Sequence, residues 1–207
     1  MKGLIFDLDG TLLDTIGDIA AAMDKALIKN GLKTHTRKEY ESFIGNGVKL
    51  LAERATGGEK TEAVLKDYLE IYASENDVLT KPFDGIENAL LTLSKTHKIA
   101  VLSNKPHNDT TSLVKKYFPN VPFFIAYGQR KGVPTKPDPT SALEIAHTMG
   151  LLPQDITFVG DSPEDIKTGK NANMKTAGVC WGYRSKQQLE NAQADMIIQT
   201  TEELLKL

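Results

Sequence analysis

Six short apolar runs recur along the chain, and they constrain its fold more than any other feature of the sequence. Each run is nearly continuous in apolar residues and is bounded by polar residues, Gly or Pro, which is typical of strands buried on both faces. Helical stretches separate most of the runs, and this alternation predicts an α/β fold with a parallel sheet flanked by helices. The runs are GLIFDL (3–8), KIAVLSN (98–104), VPFFIAYG (121–128), DITFVGD (155–161), KTAGVCW (175–181) and ADMIIQT (194–200).

Between the first and second runs, helical periodicity replaces the strand-like pattern. Apolar residues recur every three or four positions from Ile16 to Leu27, and later segments of the block show the same spacing. The block interrupts the α/β alternation after a single strand. The sequence therefore predicts an all-helical insert, residues 15–81, on a core formed by residues 1–14 and 82–207.

Polar side chains follow three of the predicted strands at their carboxyl ends. Two further polar residues belong to the same edge: Lys136 lies in the loop before one predicted helix, and Asp165 lies in the first turn of the next, which Ser162 caps. Ligands of an open parallel sheet bind beyond the carboxyl ends of its strands, so we expect these side chains to form one site. The strand-end residues are Asp7 and Asp9 after the first run, Ser103 and Asn104 after the second, and Asp161 after the fourth.

Several carboxylates at one edge repel one another and tend to stay protonated unless a cation lies between them. A hard divalent ion such as Mg²⁺ meets this need, because it prefers oxygen ligands and keeps coordination sites for water and substrate phosphate. The four histidines are scattered and the chain has one cysteine, which argues against zinc. The sequence therefore predicts a magnesium site.

The same residue types suit phosphoryl transfer. A metal ion, a lysine, a hydroxyl group and backbone amides near Gly10 together form a cradle for a phosphoryl group. One carboxylate can attack phosphorus and form an aspartyl phosphate. A second can donate a proton to the leaving alcohol and later take one from water. From the residues alone, either aspartate of the first strand end is a candidate nucleophile.

Composition narrows the partner and the location. A formal net charge of -2 and a pI of about 6.1 provide no basic field for nucleic acid or an anionic membrane. No apolar stretch reaches the roughly 18 residues of a membrane span, and the single Cys180 excludes an internal disulfide framework. We expect a cytoplasmic protein, monomeric or homodimeric, whose partner is a small phosphorylated metabolite.

The segments that carry the polar residues resemble, in order, the four motifs of the haloacid dehalogenase superfamily. They are DLDGTLLDT (7–15), VLSNK (101–105), KPDP (136–139) and VGDSPEDI (159–166). The resemblance implies a Rossmann-like core with a parallel sheet, a helical cap inserted after the first motif, and a dependence on Mg²⁺. An acid two residues after the nucleophile is typical of members that act on phosphate esters.

The resemblance also implies a role for each residue. Asp7 is the nucleophile and a magnesium ligand, and Asp9 is the general acid/base and binds the metal through its backbone carbonyl. Asp161 completes the protein ligands, and Asp165 supports the metal site from beside it. The residues expected to bind the phosphoryl group are Gly10, Thr11, Ser103, Asn104 and Lys136, of which Ser103 and Lys136 are also catalytic.

Two further segments resemble the bacterial phosphoglycolate phosphatases. FIGNGVKLLAERA (43–55) is similar to their GNG segment, and WGYRS (181–185) is similar to a second signature. Gly45, Asn46 and Gly47 are expected to face the substrate, although the same residues also suit a loop before a helix. Lys49 and Arg54 are candidates for a substrate carboxylate, or are surface charges of that helix.

The function implied is a magnesium-dependent phosphatase that hydrolyses a small phosphate monoester through an aspartyl phosphate, with phosphoglycolate phosphatase the leading candidate. Alternatives within the superfamily are a broad-specificity sugar-phosphate or nucleotide phosphatase, a pyrophosphatase and a phosphosugar mutase. A non-enzymatic binding module is disfavoured, because its expected mark is the loss of a catalytic residue. Asp7, Asp9, Lys136 and Asp161 are all present.

Overall fold

The computed structural model describes residues 2–75 and 77–207. Its first part begins with strand β1 (Lys2–Phe6). Two short strands, β2 (Leu13–Asp14) and β3 (Lys81–Pro82), follow, with four helices between β2 and β3. Strands β2 and β3 pair antiparallel where the chain leaves the core and returns to it, a pairing not predicted from the sequence. The helices are α1 (Ile16–Lys29), α2 (Arg37–Phe43), α3 (Val48–Thr56) and α4 (Thr61–Glu75).

The remaining elements alternate between helix and strand. They are α5 (Ile86–Leu93), β4 (His97–Pro106), α6 (His107–Tyr117), β5 (Ile125–Gln129), α7 (Thr140–Met149), β6 (Ile156–Gly160), α8 (Pro163–Asn171), β7 (Lys175–Val179), α9 (Lys186–Asn191) and β8 (Met196–Ile198), with 3₁₀ turns at Pro153–Asp155 and Thr201–Lys206. Six strands form one parallel sheet in the order β5-β4-β1-β6-β7-β8. Because β1 lies between β4 and β6, the carboxyl ends of these three strands meet at one edge.

Apolar side chains cover both faces of the sheet. On β1, Leu4 and Phe6 pack in a cluster with side chains of α5 and α6, whereas Ile5 packs in a second cluster with α7. This alternation follows from the two-residue period of a strand. Burial on both faces confirms the α/β fold predicted from the continuous apolar runs.

The four helices of the first part pack around a cluster of their own. Ile16 and Met23 of α1 contribute to it with Tyr40 of α2 and Tyr68 of α4, and Tyr183 packs against it. These contacts explain the helical periodicity in the sequence, because each helix buries one apolar face. Among the described residues, no helix is both long and apolar enough to cross a bilayer.

Asp18 of α1 links the start of the helical block to the segment at its end, before β3. Asp18 is 3% exposed. Its carboxylate accepts hydrogen bonds from the backbone N–H groups of Leu79 and Thr80 at 2.9 and 2.7 Å, and from the Thr80 hydroxyl at 2.6 Å. A buried carboxylate is stable only when such donors surround it. The start of α1 is thereby fixed to the segment that leads back into the core.

Local signals position the helix that carries Asp165. The Ser162 hydroxyl caps α8, and the Asp165 side chain accepts a hydrogen bond from the Ser162 N–H in return, as the sequence predicts.

The predicted strand at 121–128 starts later, at Ile125. Phe123 N–H donates to the Val121 carbonyl, so a turn occupies the first residues of that run.

Candidate active site

One pocket lies where the carboxyl ends of the strands face the helical block. Its cavity volume is about 60 Å³, well below the roughly 300–1,000 Å³ of a drug-sized ligand pocket. Side chains from the core and from the helical block line it together. The lining residues are Asp7, Asp9, Ser103, Asn104, Lys105, Lys136, Asp161, Ser162, Tyr183 and Arg184 on one side and Ile19, Ile44, Gly45, Gly47 and Leu51 on the other.

Three buried carboxylates meet at the base of this pocket. Oxygen atoms of Asp7, Asp161 and Asp165 all lie within 4.8 Å of one another. Lys136 Nζ lies 2.7 Å from Asp7 Oδ1 and 2.6 Å from Asp165 Oδ1. The other Asp165 oxygen accepts hydrogen bonds from the Ser162 N–H and hydroxyl. The sequence therefore placed these four charged residues together correctly, although they are up to 158 positions apart.

The electrostatics of this cluster favour a bound cation. Burial raises the pKa of Asp7 well above its ordinary value, and the charges of Asp165 and Asp161 add to this effect against the opposing charge of Lys136. Burial, followed by the charge of Asp165, raises the pKa of Asp161 to about 7. Burial by itself would lower the pKa of Lys136, but Asp165 and Asp7 outweigh it and the pKa is raised. One lysine does not balance three carboxylates, so the hard oxygen donors present fit a divalent metal ion.

Asp9 lies at the pocket wall, where the core meets the helical block. Its Oδ1 accepts a hydrogen bond from the Thr15 hydroxyl at 2.6 Å and another from Lys105 Nζ at 3.1 Å. Thr15 precedes α1, and Lys105 belongs to β4. The carboxylate is thus oriented by two elements distant in the sequence.

Ser103 and Asn104 lie within β4, near its carboxyl end, and not after the strand as predicted; both line the same pocket. Ser103 is 3% exposed, and its Oγ accepts a hydrogen bond from the Lys105 N–H. The Asn104 amide donates to the carbonyls of Gly45 and Lys136, and its oxygen accepts the Lys136 N–H at 2.8 Å. Asn104 therefore joins the lysine loop to the helical block, and its predicted contact with phosphate stays a prediction.

Gly10 brings the first loop against the acidic cluster. Its φ is +87°, and a Cβ at this position would lie 2.5 Å from Asp161 Oδ2 and 2.7 Å from a Tyr183 ring carbon. The N–H of Gly10 donates to the Leu13 carbonyl, and that of Thr11 donates to the Leu8 carbonyl. Both residues shape the loop behind Asp9, and their contact with phosphate stays a prediction.

The GNG segment contributes backbone to the pocket. Gly45 and Gly47 line it, whereas the Asn46 side chain accepts a hydrogen bond from Arg54, which also donates to the Phe43 carbonyl. Lys49 is exposed on α3. Arg54 therefore stabilises the loop around Asn46. Neither Arg54 nor Lys49 lines the pocket.

Three charged or aromatic lining residues were not predicted from the sequence: Lys105, Tyr183 and Arg184. Tyr183 N–H donates to Asp161 Oδ2 at 2.7 Å, and its hydroxyl accepts the Thr15 N–H at 2.8 Å. Arg184 donates to the Ile44 carbonyl at 2.8 Å and to the Glu41 carbonyl. All three lie inside the segments VLSNK and WGYRS. Their position within these motifs was the only sequence feature that could have identified them as site residues.

A parallel α/β core with an acidic pocket at its sheet edge and a helical insert beside that pocket defines a known class of hydrolases. The chain belongs to the haloacid dehalogenase-like hydrolase family, whose family model matches residues 4–179. This result confirms the superfamily predicted from the four motifs.

Several relatives and solved structures match over almost the whole chain. It is 32% identical to the phosphoglycolate phosphatase of Aquifex aeolicus (strain VF5), over 100% of this chain and 96% of that protein. It is 28% identical to the N-acetylmuramic acid 6-phosphate phosphatase of Pseudomonas aeruginosa, over 99% and 93%. A crystal structure from Lactobacillus delbrueckii subsp. bulgaricus, provisionally assigned as a phosphoglycolate phosphatase, is 31% identical with a TM-score of 0.93 and covers 100% and 98%. The predicted resemblance to the phosphoglycolate phosphatases is confirmed.

Proposed function

We propose that this protein is a phosphoric monoester hydrolase that acts on a small phosphorylated metabolite, with 2-phosphoglycolate as its substrate. The observation that carries the proposal is the setting of Asp7, a buried carboxylate at the centre of the pocket with Lys136 Nζ 2.7 Å from its Oδ1. Lys136 fixes the position of the Asp7 carboxylate, and the neighbouring acids can hold a metal ion that binds the substrate phosphate beside it. Relatives named phosphoglycolate phosphatases support the choice of substrate.

In the first half-reaction, an Asp7 oxygen forms a bond to phosphorus and the bond from phosphorus to the ester oxygen breaks. Asp9 gives its proton to the departing alkoxide, which leaves as the alcohol. Ser103 donates a hydrogen bond to a phosphoryl oxygen, and Lys136 offsets negative charge on Asp7 and the phosphoryl group. The product held on the enzyme is an aspartyl phosphate.

In the second half-reaction, water attacks the phosphorus of the aspartyl phosphate. Asp9, now a carboxylate, takes a proton from that water, and the bond from phosphorus to the Asp7 oxygen breaks. Inorganic phosphate leaves, while Asp7 regains its carboxylate and Asp9 its proton. One acid/base residue thus serves both half-reactions, and atoms and protons balance over the cycle.

The proposed metal is Mg²⁺, which Asp7, Asp161 and the backbone carbonyl of Asp9 would hold. Asp165 would support the site indirectly, because it pairs with Lys136, which also contacts Asp7. When bound, the ion offsets the charge of the carboxylates and of the phosphoryl oxygens. The 2.7 Å hydrogen bond from the Tyr183 N–H to Asp161 Oδ2 orients that carboxylate and leaves its second oxygen for the ion.

The helical block supplies the proposed cap, residues 15–81. Ile19, Ile44 and Leu51 bring apolar surface to the pocket, which excludes water during the reaction. The cytoplasm is the proposed location, since the unpaired Cys180 suits a reducing compartment.

The decisive experiment measures phosphate release by purified protein with Mg²⁺ and 2-phosphoglycolate. Asp7→Asn should lower kcat by about 10⁴-fold or more, the scale of loss when a covalent nucleophile is removed. Asp155→Asn, at an exposed acid of the same core, is the matched control and should keep wild-type activity. An Asp7→Asn variant with full activity would show that another residue attacks.

A panel of substrates tests the choice of ester. It contains 2-phosphoglycolate, N-acetylmuramic acid 6-phosphate, a hexose phosphate, a nucleoside monophosphate and pyrophosphate. The highest kcat/KM should belong to 2-phosphoglycolate, because discrimination is measured by that ratio. A higher value for N-acetylmuramic acid 6-phosphate would transfer the assignment to the activity named for the 28% identical relative. Conversion of one hexose phosphate isomer into another would indicate a mutase.

A further inference from the structure

Lys105 lies between the proposed general acid/base and helix α4 of the cap. The residue is 7% exposed, and its Nζ lies 3.1 Å from Asp9 Oδ1 and 4.9 Å from the centre of the Tyr72 ring. A buried ammonium is costly unless charge or an aromatic face compensates it. A carboxylate on the core side and an aromatic ring on the cap side therefore hold this side chain in place.

Both hydrogen bonds to the Asp9 side chain end on the same oxygen. The Thr15 hydroxyl and Lys105 Nζ donate to Oδ1, and Oδ2 has no partner among the residues described. A single donor lets a carboxylate rotate about that bond, whereas two donors from different directions fix its plane. The oxygen left over is the one able to exchange a proton with a ligand in the pocket.

We propose that Lys105 is a positioning residue, which fixes Asp9 so that Oδ2 meets the ester oxygen of the substrate. This inference rests on the proposed function, in which Asp9 protonates the leaving alkoxide. Lys105 acts through Asp9 and does not contact the reacting atoms. Its loss should therefore slow reactions whose leaving group needs a proton and spare reactions whose leaving group does not.

Three two-carbon substrates separate this role from the alternatives. Ethyl phosphate releases an alkoxide, which requires a proton. Acetyl phosphate has nearly the same size but releases a carboxylate, which does not. In 2-phosphoglycolate a carboxylate replaces the methyl group of ethyl phosphate, so it alone reports recognition of a second anionic group. The ratio kcat/KM is compared because it covers the steps up to departure of the leaving group.

The test variant is Lys105→Met, which keeps the length of the side chain and removes its charge. We expect kcat/KM to fall about 100-fold for ethyl phosphate and for 2-phosphoglycolate, the scale of a misplaced catalytic group, and less than threefold for acetyl phosphate. Lys98→Met, on the same strand but outside the pocket lining, is the matched control and should leave all three values unchanged. If Lys105→Met does not fold, Lys105→Gln is measured in its place.

Two results would overturn the inference. Equal losses on ethyl phosphate and acetyl phosphate would mean that Lys105 supports the pocket without directing the proton donor. A loss confined to 2-phosphoglycolate would mean that Lys105 binds the substrate carboxylate. The comparison of ethyl phosphate with acetyl phosphate decides the matter even if wild-type enzyme proves inactive on 2-phosphoglycolate, so the two proposals can fail separately.

Discussion

Removal of the Lys136 charge should destabilise the metal-free protein strongly at neutral pH. Its Nζ contacts Asp7 and Asp165 at 2.7 and 2.6 Å, and the three side chains are 4%, 10% and 0% exposed. Lys136→Met leaves two buried carboxylates without a cation, and loss of one partner of a buried ion pair costs about 3–5 kcal/mol. We therefore expect the free energy of unfolding at pH 7.5, in the presence of a chelator, to fall by about that amount.

The cost should shrink as the pH is lowered. The pKa of Asp7 is raised by burial, and loss of Lys136 raises it further. An acid whose folded pKa lies above its unfolded value destabilises the fold fully above the folded pKa, and this penalty shrinks as the pH falls from the folded towards the unfolded pKa. The difference between variant and wild type should therefore be smaller at pH 5.5 than at pH 7.5.

Urea unfolding followed by the fluorescence of Trp181 provides the measurement. This residue is the single tryptophan of the chain, and its ring N–H donates to the Thr11 carbonyl beside the site. Lys116→Met is the matched control, because Lys116 pairs with Asp77 at the surface and such pairs contribute little to stability. A Lys136→Met cost below about 1 kcal/mol, or one equal at both pH values, would refute the reasoning.

Two further substitutions test the framework of the site. Gly10→Ala should lower stability by about 1–3 kcal/mol and phosphatase activity by at least about tenfold, because its Cβ would lie 2.5 Å from Asp161 Oδ2. Gly31→Ala, also at positive φ but in open space, should keep its activity, and equal activity losses in assays of the two variants would contradict this explanation. Asp18→Asn should lower the free energy of unfolding by about 1–3 kcal/mol, since an amide replaces an acceptor that faces N–H and O–H donors. If Asp18→Asn lowers the free energy of urea unfolding no more than the exposed Glu70→Gln does, the link between the start and the end of the helical block does not contribute to stability.

Much of the fold was predictable because the relevant signals are local. A strand buried on both faces must be apolar throughout, so the runs around Ile5, Val101 and Phe158 are visible without any partner. Helix signals are equally short-ranged, as the capping box of Ser162 and Asp165 shows. The pairing of β2 with β3 escaped prediction, because two-residue strands carry no periodicity.

The acidic cluster was predictable for a topological reason. In a parallel sheet every strand delivers its carboxyl end to one edge, so Asp7 and Asp161 had to approach each other once β1 and β6 were neighbours. Motif order then supplied the proposed roles. The hydrogen-bond partner of each side chain could not be predicted in this way: the Asn46 side chain accepts a hydrogen bond from Arg54, and its contact with substrate stays a prediction.

By itself the sequence determined the α/β class, the position of the helical insert and the set of acids at the sheet edge, because periodicity and strand ends are properties of short segments. Only the tertiary structure decided which side chains orient those acids. Lys105 meets Asp9 across 96 positions, and Tyr183 meets Thr15 across 168. Both contacts join segments that are far apart in the sequence, and no local pattern in the chain records which side chains meet there.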